Sequence, residues 1–203
     1  MDKMIEWAKE LQSLAQAGLY YNDDVFNKER YQRIRDISFE MMAEHTGNSF
    51  QQVKEVYCKD IGYQTPKIDT RAVIIENDKI LLVQEQSGRW SIPGGWCEYN
   101  LTPAENVVKE AKEETGLDVI ADRLIAVLDR DRYSEPPYPF KVIKMFFLCH
   151  SVGGSFVKNI ETTKSGYFSL EELPEIAKEK ISEEQIRMCF DAYQDKDRTV
   201  RFE

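Results

Sequence analysis

Residues 93–117, PGGWCEYNLTPAENVVKEAKEETGL, decide the fold. Thr102, Pro103 and Glu105 mark a helix start three times over, as N-cap, first helical residue and capping-box partner. Gly116 follows the last periodic residue and can take the left-handed conformation that closes a helix. The apolar stripe of that helix reads Ala104, Val107, Val108 and Ala111. Glu110, Glu113 and Glu114 fall together on a neighbouring arc roughly 100° wide. Carboxylates crowded in this way repel one another, and the helix dipole disfavours them near the C-terminus. A solvated acidic face tolerates that cost. With the Pro93-Gly94-Gly95 turn in front, the same cluster is also a set of hard oxygen donors. Such a set suits Mg²⁺ or Mn²⁺ and, through the cation, a phosphate-bearing substrate.

The stretch resembles the box of the Nudix hydrolases, which reads G, five residues, E, seven residues, R-E-U-x-E-E-x-G-U, with U aliphatic. Here it runs from Gly95 to Lys109-Glu110-Ala111-Lys112-Glu113-Glu114-Thr115-Gly116-Leu117. The resemblance implies Glu110, Glu113 and Glu114 as metal ligands, with Gly95 beside the substrate. Two positions depart from it: the first box Glu is Leu101 and the box Arg is Lys109. In the family that pair braces loop against helix, so losing both charges strands neither partner. Lys109 remains available to Glu98 or Glu113.

Outside the box, 203 residues suffice for one ordinary domain and a small one. The chain is 42% apolar and 31% charged, the profile of a soluble folded protein. It has no bilayer-length apolar run and no secretory leader, so the expected location is the cytoplasm. Cys58, Cys97, Cys149 and Cys189 are far apart, and the histidines are His45 and His150, which suggests neither zinc nor a disulfide framework. Cys97, in the glycine loop, reads as a passive thiol. A formal charge of −9 argues against a long nucleic acid as substrate, but is compatible with a small nucleotide bound through metal.

Along the chain, residues 3–17 carry Met4, Trp7, Ala8, Leu11, Leu14 and Ala15 at helical spacing, and Gly18 reads as the stop. A second helix is expected after Asn27 with the stripe Tyr31, Ile34, Ile37, Ser38, Met41 and Met42, ending at Gly47. Ser49 and Gln52 form a capping box for a third. Tyr20, Tyr21 and Phe26 are taken as linker anchors. The division is residues 1–62 as a helical domain and 63–203 as the second domain, with Gly62 to Lys67 as punctuation. This junction, continuing Ile68-Asp69-Thr70-Arg71-Ala72, resembles a bacterial Nudix subgroup with an N-terminal helical domain that acts on CDP-choline or ADP-ribose. Homodimerisation follows from the resemblance and from the marginal size of the helical unit.

Arg71 reads either as a phosphate contact or as a surface strand residue. Strands at 72–76 and 79–84 flank an Asn77-Asp78 turn, residues 117–128 are extended, and 142–149 is the strongest strand signal, expected to be central. The proline-rich stretch between the last two could present Tyr133, Tyr138 or Phe140 to a base, and Arg130 or Arg132 to a phosphate. Alternatively it is a stiff surface connection. Gly153-Gly154 reads as a turn, and Glu161 resembles the late-loop Glu used in the family as base or extra ligand. Ser182 and Gln185 cap a last helix, with Ile181 and Ile186 as its staple, and the segment from Asp195 reads as frayed.

Together these patterns predict an α/β (α+β) fold, a mixed sheet between helices, behind a small helical domain. The expected activity is a metal-dependent pyrophosphohydrolase acting on a nucleoside diphosphate linked to another moiety. Glu114, Glu113 and Glu161 are the candidate catalytic residues, and Arg71, Gly95, Arg130, Arg132 and Tyr138 the candidate substrate contacts. A nucleoside triphosphate pyrophosphatase and a non-hydrolytic nucleotide sensor are the alternatives.

Overall fold

The computed structural model describes residues 3–57, 62–134, 138 and 140–203, and divides into two units, Met1–Pro66 with Pro137–Lys141 and Lys67–Pro136 with Val142–Glu203. Cys58 and residues 135–137 and 139 of the proline stretch lie outside the described residues.

In the first unit, helices α1 (Lys3–Tyr21), α2 (Val25–Thr46) and α3 (Phe50–Tyr57) enclose a small core of Ala8, Phe39, Met42 and Val53. Gly18 does not end α1. A Cβ there would sit 2.5 Å from the Tyr31 ring, so this glycine lets α1 and α2 approach, and Tyr20 and Tyr21 are the last turn of the helix rather than a linker. The predicted α1 stripe also divides: Ala8 and Ala15 are buried, whereas Trp7 and Leu14 are more than half exposed. Asp24 caps α2 by accepting from the Asn27 N–H, three residues earlier than expected, and Gly47 closes it with φ 70°. The Ser49–Gln52 capping box forms as expected.

The second unit is built on strands β1 (Lys67–Glu76), β2 (Lys79–Glu85), β3 (Trp90–Ser91), β4 (Leu117–Asp129), β5 (Val142–Gly154), β6 (Thr162–Phe168) and β7 (Arg201–Phe202). Their order is β3-β2-β1-β5-β4-β7, with β6 also pairing β2. β1 and β5 are parallel from Lys67 opposite Val142 to Ile74 opposite Cys149, and β4 returns antiparallel to β5. The sheet is therefore mixed, with β5 interior as its sequence predicts. Asn77 and Asp78 take φ 50° and 57°, the paired left-handed conformation of a two-residue hairpin turn.

Side-chain alternation divides the core. Ala72, Ile74, Phe147 and Cys149 face helix α4 (Pro103–Thr115) through Val107 and Ala111. Val73, Ile75 and Phe146 face helix α5 (Glu183–Gln194) through Ile186 and Cys189. Two late features differ from expectation. β5 runs on through Gly154, where a Cβ would meet the Gly116 carbonyl at 2.3 Å, so that glycine serves close strand approach instead of a turn. Residues 201–202 are not frayed but add to the edge of β4, and Glu203 accepts from the Tyr133 hydroxyl at 2.6 Å. No helix among the described residues is long and apolar enough to cross a membrane.

Candidate active site

The corner between the glycine loop and α4 is built by backbone bonding. After β3 the chain turns back along β1: Ala72 N–H donates to Pro93 O at 2.8 Å, Thr70 N–H to Gly95 O at 2.8 Å, and Cys97 N–H to Ile68 O at 2.9 Å. Gly94 has φ 141°, and a Cβ on it would lie 1.9 Å from the Thr70 carbonyl oxygen. Only glycine allows so close a crossing. From this turn the Gly94 N–H donates to Glu114 Oε2 at 2.8 Å.

Helix α4 is fixed at both ends and in the middle. Thr102 and Glu105 form the full capping box, and Gly116 closes the helix with φ 73°. Its stripe is corrected at one point: Ala104 is exposed, and Asn106 is fully buried in its stead. Asn106 Nδ2 donates to Thr70 Oγ1 at 2.9 Å, and its Oδ1 accepts from Glu98 N–H at 2.9 Å, which ties helix to strand and loop. At the other end Asn159 Nδ2 donates to Glu113 O and Thr162 Oγ1 to Glu114 O, both at 2.7 Å. These bonds satisfy carbonyls that a helix end leaves open.

The glutamates occupy distinct surroundings. Glu114 is partly buried; burial pushes its carboxyl up to about 7, against the lowering effects of the Gly94 amide and the Arg71 charge, while Glu110 raises it further. Glu110 is also raised, first by burial and then by the charges of Glu113 and Glu161. Its carboxylate lies over Gly95, where a Cβ would meet Oε2 at 2.7 Å. Glu113 is exposed and accepts from Lys109 at 2.5 Å, and Lys109 also lies 3.1 Å from Glu98. Lys109 thus takes both partners open to it, and those bonds raise its pKa. Leu101, where the box Glu would stand, is partly buried and carries no charge to the brace.

Glu161 is exposed, in the loop anchored to α4 by Asn159 and Thr162, close enough for its charge to act on Glu110. Cys97 is the passive thiol expected: burial, then the Glu110 and Glu98 charges, push its pKa up, away from the reactive thiolate.

Arg71 fits neither of its sequence readings. It is 3% exposed, its Nε and Nη2 donate to Asp69 at 2.6 Å each, and its Nη1 donates to Ile92 O at 3.0 Å, so it presents no outward donor to a phosphate. Arg130 is likewise turned inward, 2% exposed and donating to Glu179 O at 2.8 Å. Arg132 does reach solvent, with Glu203 at 3.6 Å. Tyr138 belongs to the first unit and stacks on Phe140, with ring centroids 5.5 Å apart and 13° between planes.

The structure therefore brings Glu110, Glu114 and Gly95 together, with Glu161 nearby. It holds Glu113 aside on Lys109, and among the described residues no group of three or more His, Cys, Asp or Glu forms a ready metal cage. The donor chemistry nonetheless fits a hard divalent cation: two half-buried carboxyls flank one glycine turn, and the Glu110 charge raises Glu114, a repulsion that a cation would relieve. Asn106, Asn159, Thr162 and Asp69 escaped the sequence reading. Asn106 carried a signal, as a polar residue beside Val107 on the packing side of α4, and so did Asp69, an acid two residues before Arg71 on the same strand face.

Comparison with known proteins agrees with this geometry. Residues 66–189 match the family model described as the NUDIX domain, and residues 2–57 match the one described as a UDP-X-like N-terminal oligomerisation domain. The chain is 38% identical over 202 residues, 99% of its length and 97% of the relative's, to YjhB of Bacillus subtilis (strain 168), provisionally named an ADP-ribose pyrophosphatase. Among solved structures it is similar to an ADP-ribose pyrophosphatase from Streptococcus suis 89-1591, with 47% identity and TM-score 0.65 over 68% of this chain and 100% of that one. It is also similar to a UDP-X diphosphatase, with 31% identity and TM-score 0.66 over 99% of this chain and 98% of the other. With its glycine turn, its helix of glutamates and its helical N-terminal domain, the chain belongs to the Nudix hydrolase family.

Proposed function

We propose that this chain hydrolyses a nucleoside diphosphate linked to a second moiety, adding water across the pyrophosphate to give a nucleoside monophosphate and a phosphorylated product. The observation that carries the reading is the pairing of Glu110 and Glu114 around the Gly94-Gly95 turn, Glu114 accepting from the Gly94 N–H and the Glu110 carboxylate lying over Gly95. Glu110 and Glu114 would hold Mg²⁺ or Mn²⁺, with Glu113 joining once it exchanges Lys109 for the cation. When bound, the cation neutralises the pyrophosphate and lowers the pKa of the attacking water. Glu114 is oriented by Gly94 and poised near neutrality, which suits it to take the proton of that water. Glu161 is the second candidate, from the anchored loop. The Gly95 backbone and the exposed Arg132 are the proposed substrate contacts that remain once Arg71 and Arg130 are seen to point inward.

ADP-ribose is the first substrate to expect, because two full-length or near full-length relatives of this domain carry that activity in their names. A UDP-linked substrate is the second reading, supported by the similarity over 99% of the chain to a UDP-X diphosphatase. A panel of ADP-ribose, UDP-sugars, CDP-choline and nucleoside triphosphates with Mg²⁺ or Mn²⁺ decides between them. Release of AMP from ADP-ribose is the expected result. Inorganic pyrophosphate from a triphosphate as the main product would overturn the reading, and so would no turnover of any compound.

We also infer a homodimer formed through the N-terminal unit. Trp7, Leu14 and Phe26 expose 53%, 60% and 69% of their surface, and the matching family model is described as an oligomerisation domain. Contiguous exposed apolar surface marks an interface, and Trp7 and Leu14, seven residues apart, share one face of α1. Sedimentation at micromolar concentration should give twice the 23.7 kDa chain mass. A monomer at that concentration would exclude the assignment.

A further inference from the structure

Beneath the glycine turn lies a buried ionic group that the reaction as described does not use. Asp69, Arg71 and Lys144 are 6%, 3% and 1% exposed. Arg71 grips the Asp69 carboxylate with two bonds of 2.6 Å, and Lys144 Nζ approaches Asp69 Oδ1 at 3.4 Å. Burial by itself would raise the Asp69 carboxyl, but the two cations outweigh it and hold the group below the usual carboxylate range. A buried ion pair is a poor device for stability alone, since desolvation offsets most of the attraction. Its geometry points to another use. The third nitrogen of Arg71 donates to Ile92 O at 3.0 Å, one residue before the turn. From Ile92 the chain passes through Pro93, whose ring fixes φ, to Gly94, whose N–H is the bond that orients Glu114.

We propose that Arg71, clamped by Asp69, is a positioning residue for the hydrolysis: it pins the Ile92 carbonyl so that the Gly94 N–H stays aimed at Glu114. This rests on the pyrophosphohydrolase reading above. It replaces the expected phosphate contact with an action through two intervening backbone groups, and it explains why an arginine is used. A lysine could neutralise Asp69, as Lys144 nearly does, but could not grip the carboxylate with two bonds and still donate to a carbonyl on the far side.

Lys144 also makes the proposal testable. With Arg71→Met, Asp69 keeps a cation at 3.4 Å, so no unpaired charge is left in the core. Arg71→Met should therefore fold by circular dichroism, with kcat lowered about 10- to 100-fold and KM within about threefold. Because the action runs through Glu114, adding Arg71→Met to Glu114→Gln should cost less than about a further threefold. A KM raised tenfold with kcat kept would make Arg71 a substrate contact instead. Additive losses would reduce it to a structural element, and an unchanged kcat would remove any role. If Arg71→Met does not fold, the same measurements apply to Arg71→Lys; if neither folds, Arg71 is a stability element and the proposal is overturned.

Amide hydrogen exchange of residues 92–97 without substrate separates this proposal from the substrate reading. Exchange in Arg71→Met should be about tenfold faster than in wild type in that segment, with α5 unchanged. Unchanged exchange at 92–97 overturns the positioning role even if the enzyme is active. A wild type inactive on every nucleotide overturns the activity reading while leaving the exchange result in place.

Discussion

Replacing Glu114 with Gln should lower kcat at least about a hundredfold while raising the stability of the metal-free protein at pH 8. The two effects share one cause. Burial, more than any neighbour, raises the Glu114 carboxyl to about 7, well above the range of an exposed Glu. The folded state therefore holds a proton more tightly than the unfolded chain does. The favourable term is fully present below the unfolded pKa and is lost as pH rises toward 7, where the folded group ionises. In wild type without metal, stability should fall between pH about 4.5 and 7, by up to about 3 kcal/mol from this group. Glu114→Gln, having no proton to lose, should not show that slope, and Mg²⁺ should restore stability to wild type alone. Thermal unfolding at several pH values with and without Mg²⁺ reads all three. A variant with near-full activity, or one with the same pH slope as wild type, would sink the assignment. Glu113→Gln should cost less, since Glu113 is exposed and already shared with Lys109.

The second large effect belongs to the turn. Gly94→Ala would put a methyl group 1.9 Å from the Thr70 carbonyl oxygen and 2.9 Å from the Arg71 Cα, at φ 141°. Neither neighbour can yield, because both are backbone of an interior strand. We expect a loss of about 3 kcal/mol or more, a fall in Tm of about 10 °C, and activity lost with the turn. Gly95→Ala is the instructive contrast. Its Cβ meets the carboxylate end of Glu110 at 2.7 Å, a flexible group that can swing aside. That variant should stay folded and lose activity by displacing a ligand. If Gly94→Ala were as stable as wild type, the crossing of the turn over β1 would have to be different from the one described.

How much of this was legible in the sequence depends on whether a residue acts locally or across the fold. The caps of α4 and α5, the Asn77-Asp78 hairpin and the three box glutamates are local patterns, and each stands where its spacing put it. Gly18 looked the same as a helix stop, yet its cause is the Tyr31 ring on another helix. Arg71 and Arg130 were taken for outward cations: Asp69 stands two residues before Arg71 on the same face of β1, but that this face is buried, and that Glu179 O meets Arg130 from 49 residues away, are products of the fold. Residues 201–202 carry too little apolar character to announce a strand, and gain order from β4, Tyr133 and Glu184. Of the site itself, the sequence carried the carboxylates but not their division, since separating Glu113 from Glu110 and Glu114 takes the position of Lys109 between Glu98 and Glu113.

The bonds from Asn159 and Thr162 to the last carbonyls of α4 have a dynamic consequence. The loop that carries Glu161 is also the cap of the helix that carries Glu113 and Glu114. Any excursion of residues 159–162 must strip two hydrogen bonds from the helix end and leave its last turn to fray. Glu161 and the helical turn that bears Glu113 and Glu114 would then loosen in the same motion, so that the opening of the one and the fraying of the other are a single local event.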